Sequence, residues 1–163
     1  MSSAAAAAKT RAYGDLQEAI STKDCYCLNE NPNKPFRNLF MGDDSLVLKS
    51  DADEQLMLYL EFQDAVKVFS LNIVAPQGEE APRVIKLYVN RPHLGFSDAG
   101  DVDPTQTIEL KDEDLLPEND VELRFVKFQR VKSLTVFVEE NNGAEETVIS
   151  SLKFFGTLLQ DLQ

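Results

Sequence analysis

The chain has 163 residues, 43% of them hydrophobic and 27% charged, and its 16 basic and 28 acidic side chains give a net charge of -12. That length fits one domain able to bury a core of its own, and the composition excludes global disorder. The acidic surplus repels phosphate backbones and anionic bilayers at long range, so nucleic acid and membrane are set aside as partners.

No apolar run approaches the ~18 residues of a membrane span. Met1–Ala8 is Ser and Ala without a basic start, which is not a secretory signal. Residues 1–12 therefore read as a disordered tail, although Lys9 and Arg11, with no acid before Asp15, also faintly suggest a transit peptide. The domain is expected over 13–160. Two cysteines, Cys25 and Cys27, are fewer than a secreted disulfide scaffold would carry. A reducing compartment follows, cytoplasmic and also nuclear.

Tyr13–Ile20 predicts a short helix with Leu16, Ala19 and Ile20 on one side, Asp15 as cap and Glu18 closing a capping box. Lys23–Gly42, with Pro32, Pro35 and four Asn, reads as a loop anchored by Leu28, Phe36, Leu39, Phe40 and Met41. From Leu46 onward the apolar period is two. Leu56, Leu58, Leu60 and Phe62 define one strand. Phe69, Leu71 and Ile73 define the next, after a turn at Gln63-Asp64. Ile85, Leu87 and Val89 alternate against Lys86, Tyr88 and Asn90; Leu134, Val136 and Val138 alternate against Thr135 and Phe137. Thr147–Phe155 offers Val148, Leu152 and Phe154, while Thr107–Leu110 and Val121–Val126 are shorter candidates. Asn141-Asn142-Gly143 carries the turn chemistry of a tight hairpin. About eight short strands without βαβ alternation predict an all-β sandwich or jelly roll. Two connections are long: Arg91–Gln106, and the acidic Lys111–Asp120, which has room for one helical turn.

Catalytic chemistry is sparse. His93 is the only histidine, set in a polar loop far in sequence from both cysteines, so neither a Ser-His-Asp nor a Cys-His arrangement is in view. Two Cys and one His fall short of a four-ligand zinc site. Asp98, Asp101 and Asp103 lack the spacing and closing Glu of a calcium loop. No glycine-rich phosphate loop exists. Neither cofactor nor metal is expected. Cys25-Tyr26-Cys27 is not the Cys-x-x-Cys redox spacing, and two thiols in a packed loop are expected, with a thiol site as the other reading. Against the acidic background, Arg124, Lys127, Arg130 and Lys132 bring four of the 16 basic residues into nine positions, interleaved with Phe125, Val126, Phe128 and Val131. This is either the solvated outer face of a strand and its turn or a contact patch for an acidic partner.

Six segments in series carry a resemblance: Cys25-Tyr26-Cys27-Leu28-Asn29-Glu30; Ser50-Asp51-Ala52-Asp53-Glu54-Gln55-Leu56; Arg124-Phe125-Val126-Lys127-Phe128-Gln129; Ser133-Leu134-Thr135-Val136-Phe137-Val138; Glu145-Glu146-Thr147 with Ile149-Ser150; and Phe155-Gly156-Thr157. Over 13–160 the chain resembles the PITH domain, the proteasome-interacting module that follows the thioredoxin domain of cytosolic thioredoxin-like proteins. The resemblance implies a jelly-roll β-sandwich of the galactose-binding-like type and association with the 26S proteasome. With no Cys-Gly-Pro-Cys and no long C-terminal tail in view, a stand-alone PITH protein is expected.

The expected function is thus a non-catalytic, monomeric protein-interaction module. Arg124, Lys127, Arg130 and Lys132 are its candidate contacts, with Arg91 and His93 in the flanking loop and the proteasome as partner. The alternative is a small-ligand or carbohydrate-binding module with Tyr26, Tyr88 or Phe96 as platform.

Overall fold

Apolar residues hold every second position from Leu56 to Phe62, and in the computed structural model Leu56–Val74 forms one strand of 19 residues about which the rest of the chain is arranged. The structure describes residues 14–43 and 45–159. The expected tail over 1–12, Tyr13 and the expected domain end at residue 160 lie outside them. In chain order the strands are β1 (Gly14–Asp15), β2 (Tyr26–Leu28), β3 (Leu48–Lys49), β4 (Leu56–Val74), β5 (Pro82–Val89), β6 (Gln106–Glu109), β7 (Val121–Glu122), β8 (Val131–Asn141), β9 (Val148–Ile149) and β10 (Ser151–Leu158), with one α-helical turn, α1 (Phe96–Ala99), between β5 and β6.

All main pairings are antiparallel. The first half of β4 lies between β2 and β8, and β5 and β6 extend that sheet. The second half lies between β10 and β7, with β1 beyond β10. The result is a β-sandwich whose layers share β4. Between them lie Leu56, Leu58 and Leu60 of β4, Ile85 and Leu87 of β5, Leu134, Val136 and Val138 of β8, and Leu71, Ile73, Leu152 and Phe154 from the second layer. These are the inward positions of the period-two pattern.

Gln63-Asp64 is not a turn between strands. Glu61 pairs with Ser133 and Val66 with Val131, and the chain bulges between them without reversing. It cannot reverse, because β10 takes up the ladder at Val66 and holds it to Val74. A second bulge follows. Phe155 faces Ser70 while Gly156 faces Val68, leaving Phe69 unmatched on β10. The inward phase therefore changes from Val66 and Val68 to Leu71 and Ile73, and Phe69, expected inward with them, is half-exposed.

Gly156 sits where this bulge presses β10 against β4. A Cβ on it would fall on the main-chain carbonyl of Lys67 and lie 3.1 Å from Leu16 Cδ1. No other residue fits here without moving a strand.

Both faces of the first sheet are covered. Met57, Tyr88 and Phe137 point away from the core and form a second apolar cluster with Ala99 of α1, joined by Leu28, Leu94 and Val102. The long connection 91–105 is therefore a packed cover. The Tyr88 hydroxyl donates to Ala99 O at 3.3 Å, and Val89 N donates to Thr105 Oγ1 at 3.0 Å.

Other expectations are corrected. The N-terminal helix is a single 3₁₀ turn, Gln17–Ala19. Asp15 Oδ1 accepts from Gln17 N at 2.9 Å, but Glu18 closes no capping box, and the chain bridges to Phe62 at Ile20. The supposed loop 23–42 contains β2 and a 3₁₀ turn, Phe36–Phe40. Phe36 and Leu39 are buried there, whereas Met41 is exposed. Asn141–Gly143 does turn, with Gly143 at φ 120° and its N–H on Asn141 Oδ1. It joins no paired strands, because the chain crosses from β8 to β9, which pairs with β3. Thr147–Phe155 divides at Ser150, so that Ile149 rather than Val148 joins the core cluster. Val121–Val126 is a strand only at β7; its end is a 3₁₀ turn, Phe125–Lys127.

Replacing Gly156 by Ala is expected to cost about 3 kcal/mol or more, a fall of ~6–12 °C in Tm for a domain of this size. Thermal unfolding of Gly156→Ala beside the parent measures it.

Candidate functional site

The connection from β7 to β8 leads from one layer to the other and carries most of the candidate cations. It is fixed along its length. Leu123 N donates to Phe69 O at 2.9 Å, Arg124 N to Gln106 Oε1 at 2.8 Å, and Gln129 Nε2 to Phe125 O at 2.8 Å. Phe128 is fully buried, and its carbonyl accepts from Val68 N at 3.0 Å. The tip between these fixed points is Phe125-Val126, flanked by exposed Arg124 and Lys127.

Phe125 stacks on Phe69, 4.7 Å between centroids and 11° between planes, and Lys67 Nζ lies 5.8 Å from the centre of the Phe125 ring. The outward turn of Phe69 at the β4 bulge makes this stack possible. Phe125 remains 41% exposed and Val126 79%.

Arg91, His93, Arg130 and Lys132 are brought together by Asn90. Its backbone is left-handed, φ 58°. Its Oδ1 accepts from Lys132 N (2.8 Å) and Ser133 N (3.1 Å), and its Nδ2 donates to Arg130 O (3.0 Å). The start of the 91–105 cover is thereby fastened to the start of β8. Thr135 Oγ1 donates to Arg91 O at 3.4 Å. His93, also left-handed at φ 67°, lines an open groove with Tyr26, Tyr59, Glu61 and Lys132. Tyr26 stacks on Tyr59, centroids 5.0 Å apart, and the Tyr59 hydroxyl donates to Glu61 Oε1 at 2.8 Å. Burial, then that hydrogen bond to a carboxylate, pushes the Tyr59 phenol up to about 12.

The four clustered cations are not equivalent. Lys132 Nζ donates to the carbonyls of Phe62 and Gln63, closing the first β4 bulge from outside. Its charge is engaged within the fold. Arg124, Lys127, Arg130 and Arg91 form no ion pair among the described residues, where the pairs are Lys49–Glu146, Arg83–Glu140 and Lys86–Glu139. Lys67 was not singled out from the sequence, and Phe69 was expected in the core and not at this site. Only the bulge brings them to the tip, and no local pattern announces it. Asn90 had a faint signal, as an Asn at a strand end, where left-handed backbone is tolerated.

Cys25 and Cys27 are free thiols at and beside β2, and both pack against the core. Cys25 Sγ donates to Ser21 O at 3.3 Å and accepts from Glu61 N at 3.4 Å. Burial raises Cys25, with Glu61 and Asp24 adding to the rise; burial raises Cys27 far more, with Glu30 adding. Both thiols stay protonated and are poor nucleophiles. The folded chain holds these protons more tightly than the unfolded chain does. That contribution to stability is complete below the ordinary thiol value of 9.0 and is lost as pH rises beyond it. With an aromatic disulfide reagent near pH 8, both thiols should react slowly in the folded protein and at once in denaturant; rapid native labelling of Cys27 would contradict the burial argument.

The family model for the PITH domain matches residues 6–162. The fission yeast Schizosaccharomyces pombe has a relative, thioredoxin-like protein 1, that is 42% identical over 163 residues, 94% of this chain and 55% of that protein. Human PITH domain-containing protein 1 is 31% identical over 143 residues, 85% of this chain and 66% of that protein. The chain therefore spans between about half and two thirds of these relatives. Among solved structures, the family 32 carbohydrate-binding module of Clostridium perfringens NanJ, in complex with galactose, superposes with a TM-score of 0.66 at 10% identity, covering 88% of this chain and 98% of that one. An F5/8 type C domain from Bacteroides fragilis gives 0.64 at 8% identity, covering 90% and 98%. These likenesses show the fold, a sandwich of the galactose-binding type. With its six motif segments inside a family match that spans nearly its whole length, the chain belongs to the PITH domain family.

Proposed function

We propose that this domain is a non-catalytic protein-interaction module that associates with the 26S proteasome, acting as a monomer in the cytoplasm and also in the nucleus. The observation that carries the reading is the set of exposed cations Arg124, Lys127 and Arg130, unpaired among the described residues, on a rigid connection of a chain with net charge -12. Charge left uncompensated where acids are plentiful offers a partner an oriented electrostatic contact. The resemblance to the PITH domain, a proteasome-interacting module, supports the proteasome as that partner. The half-buried, protonated thiols and the single, exposed histidine give no support to catalysis.

A sugar-binding role draws less support. Of the expected platforms, Tyr88 is buried beneath the 91–105 cover, the Phe96 ring leans on Phe137, 5.9 Å between centroids, and Tyr26, in the groove beside His93, has a face stacked on Tyr59. Stacking on a pyranose needs an open aromatic face.

Capture from cytosolic extract by the tagged chain at moderate salt, read by mass spectrometry, tests the proposal. Proteasome subunits should be recovered, and Arg124→Glu combined with Lys127→Glu and Arg130→Glu should lower their recovery by about tenfold or more, as loss of several interfacial charges does. Absence of proteasome subunits from a demonstrably folded bait would overturn it. Lys132 is left intact in the variant because its ammonium closes the bulge.

A further inference from the structure

We infer that the Phe125-Val126 tip is the anchoring point of the contact, and that its occupant is an acidic protein segment carrying an apolar side chain among its carboxylates. The inference rests on reading the domain as an interaction module and names the chemistry of the partner at that site.

Four observations converge. First, Phe125 and Val126 are the one place among the described residues where two exposed large hydrophobic side chains adjoin in the chain; Met41, Leu46, Phe96 and Leu116 are separate. An exposed apolar pair held on a short turn gains from being covered. Second, cations surround it: Arg124 before, Lys127 after, and Lys67 over the Phe125 ring. In a chain of net charge -12, an acidic segment is repelled by most of the surface and attracted at this place. A basic or neutral segment would gain nothing from three cations and would leave them facing like charge or no partner.

Third, the tip is organised before any partner arrives. Lys127 N donates to Arg124 O (2.8 Å) and Phe128 N to Phe125 O (3.0 Å), closing the turn, while buried Phe128 and the Phe69–Phe125 stack hold it to β4. Little freedom remains to be lost on binding, which is what lets a small patch act as an anchor. Fourth, the stack depends on the bulge that turns Phe69 outward. The apolar anchor is thus built from the constraint that fixes the strand register, not from a mobile loop end.

The test uses the full chain and three short synthetic peptides, followed by amide NMR shifts. One peptide has Asp and Glu flanking a Leu-Phe pair. The second keeps the acids and replaces Leu-Phe with Ser. The third keeps Leu-Phe and replaces the acids with Lys. The first should shift residues 67–69 and 123–130, and the other two should bind about tenfold or more weakly. Val126→Asp should abolish the shifts, and because this side chain is 79% exposed the variant retains the fold; Phe125→Ala, which also loses the stack, is the second variant. Equal binding of the Ser peptide would reduce the tip to a plain charge site and overturn the inference, as would equal binding of the Lys peptide or shifts elsewhere on the domain. The two readings fail separately. Peptide binding without proteasome recovery removes the proteasome and leaves the tip; proteasome recovery undiminished by Val126→Asp removes the tip and leaves the module.

Discussion

β4 hydrogen-bonds to four other strands, β2 and β8 along its first half and β10 and β7 along its second, so the two layers of the sandwich cannot be positioned independently. A strand shared in this way must change direction and phase between its halves. The bulge at 62–65 supplies the change of direction, and the unmatched Phe69 supplies the change of phase. Each has a device that stabilises it: the Lys132 ammonium on the carbonyls of Phe62 and Gln63, and the missing side chain of Gly156 against Lys67. The tip follows from the second of those irregularities, through the Phe69–Phe125 stack.

Several of the family's motif residues have structural roles of the same kind. Thr147, fully buried, donates through Oγ1 to Glu54 O at 2.6 Å and accepts there from Asn141 Nδ2 at 3.1 Å, while its N–H donates to Ser50 Oγ at 2.8 Å. Asn29, left-handed at φ 68°, donates to Asp53 O and Gln55 O and accepts from Ala52 N. Glu30 Oε1 receives Phe36 N at 2.8 Å. These residues satisfy buried or turned main chain that no ladder reaches, the condition under which irregular segments can pack closely. The segments 25–30, 50–56 and 145–150 are thereby linked to one another.

β5 and β8 were legible in the sequence because Ile85–Val89 and Leu134–Val138 each keep one face on the core. The all-β class followed from them. What escaped were the places where extra residues enter a ladder. Phe69 beside Leu71 and Ile73 looks like an unbroken period, and only the partner strand decides that it is not. Gln63-Asp64 looks like a turn because polar residues do interrupt the pattern there, yet a bulge interrupts it equally. The basic cluster was legible as composition, but its division was not. Whether a lysine meets a partner or a carbonyl depends on the strand lying opposite, and for Lys132 that strand is some 70 residues away in the chain.

The strands at the margins of the sandwich are all short: β1 and β7 have two residues, β2 three and β6 four, against 19 in β4 and 11 in β8. Among the described residues these four marginal strands offer little main chain of their own to template another strand. Recognition by adding a foreign strand to the sheet edge, which reads backbone and tolerates many sequences, has scant purchase on such a molecule. A protein that meets this domain has to recognise it by side chains. Its selectivity then resides in the few residues the loops display.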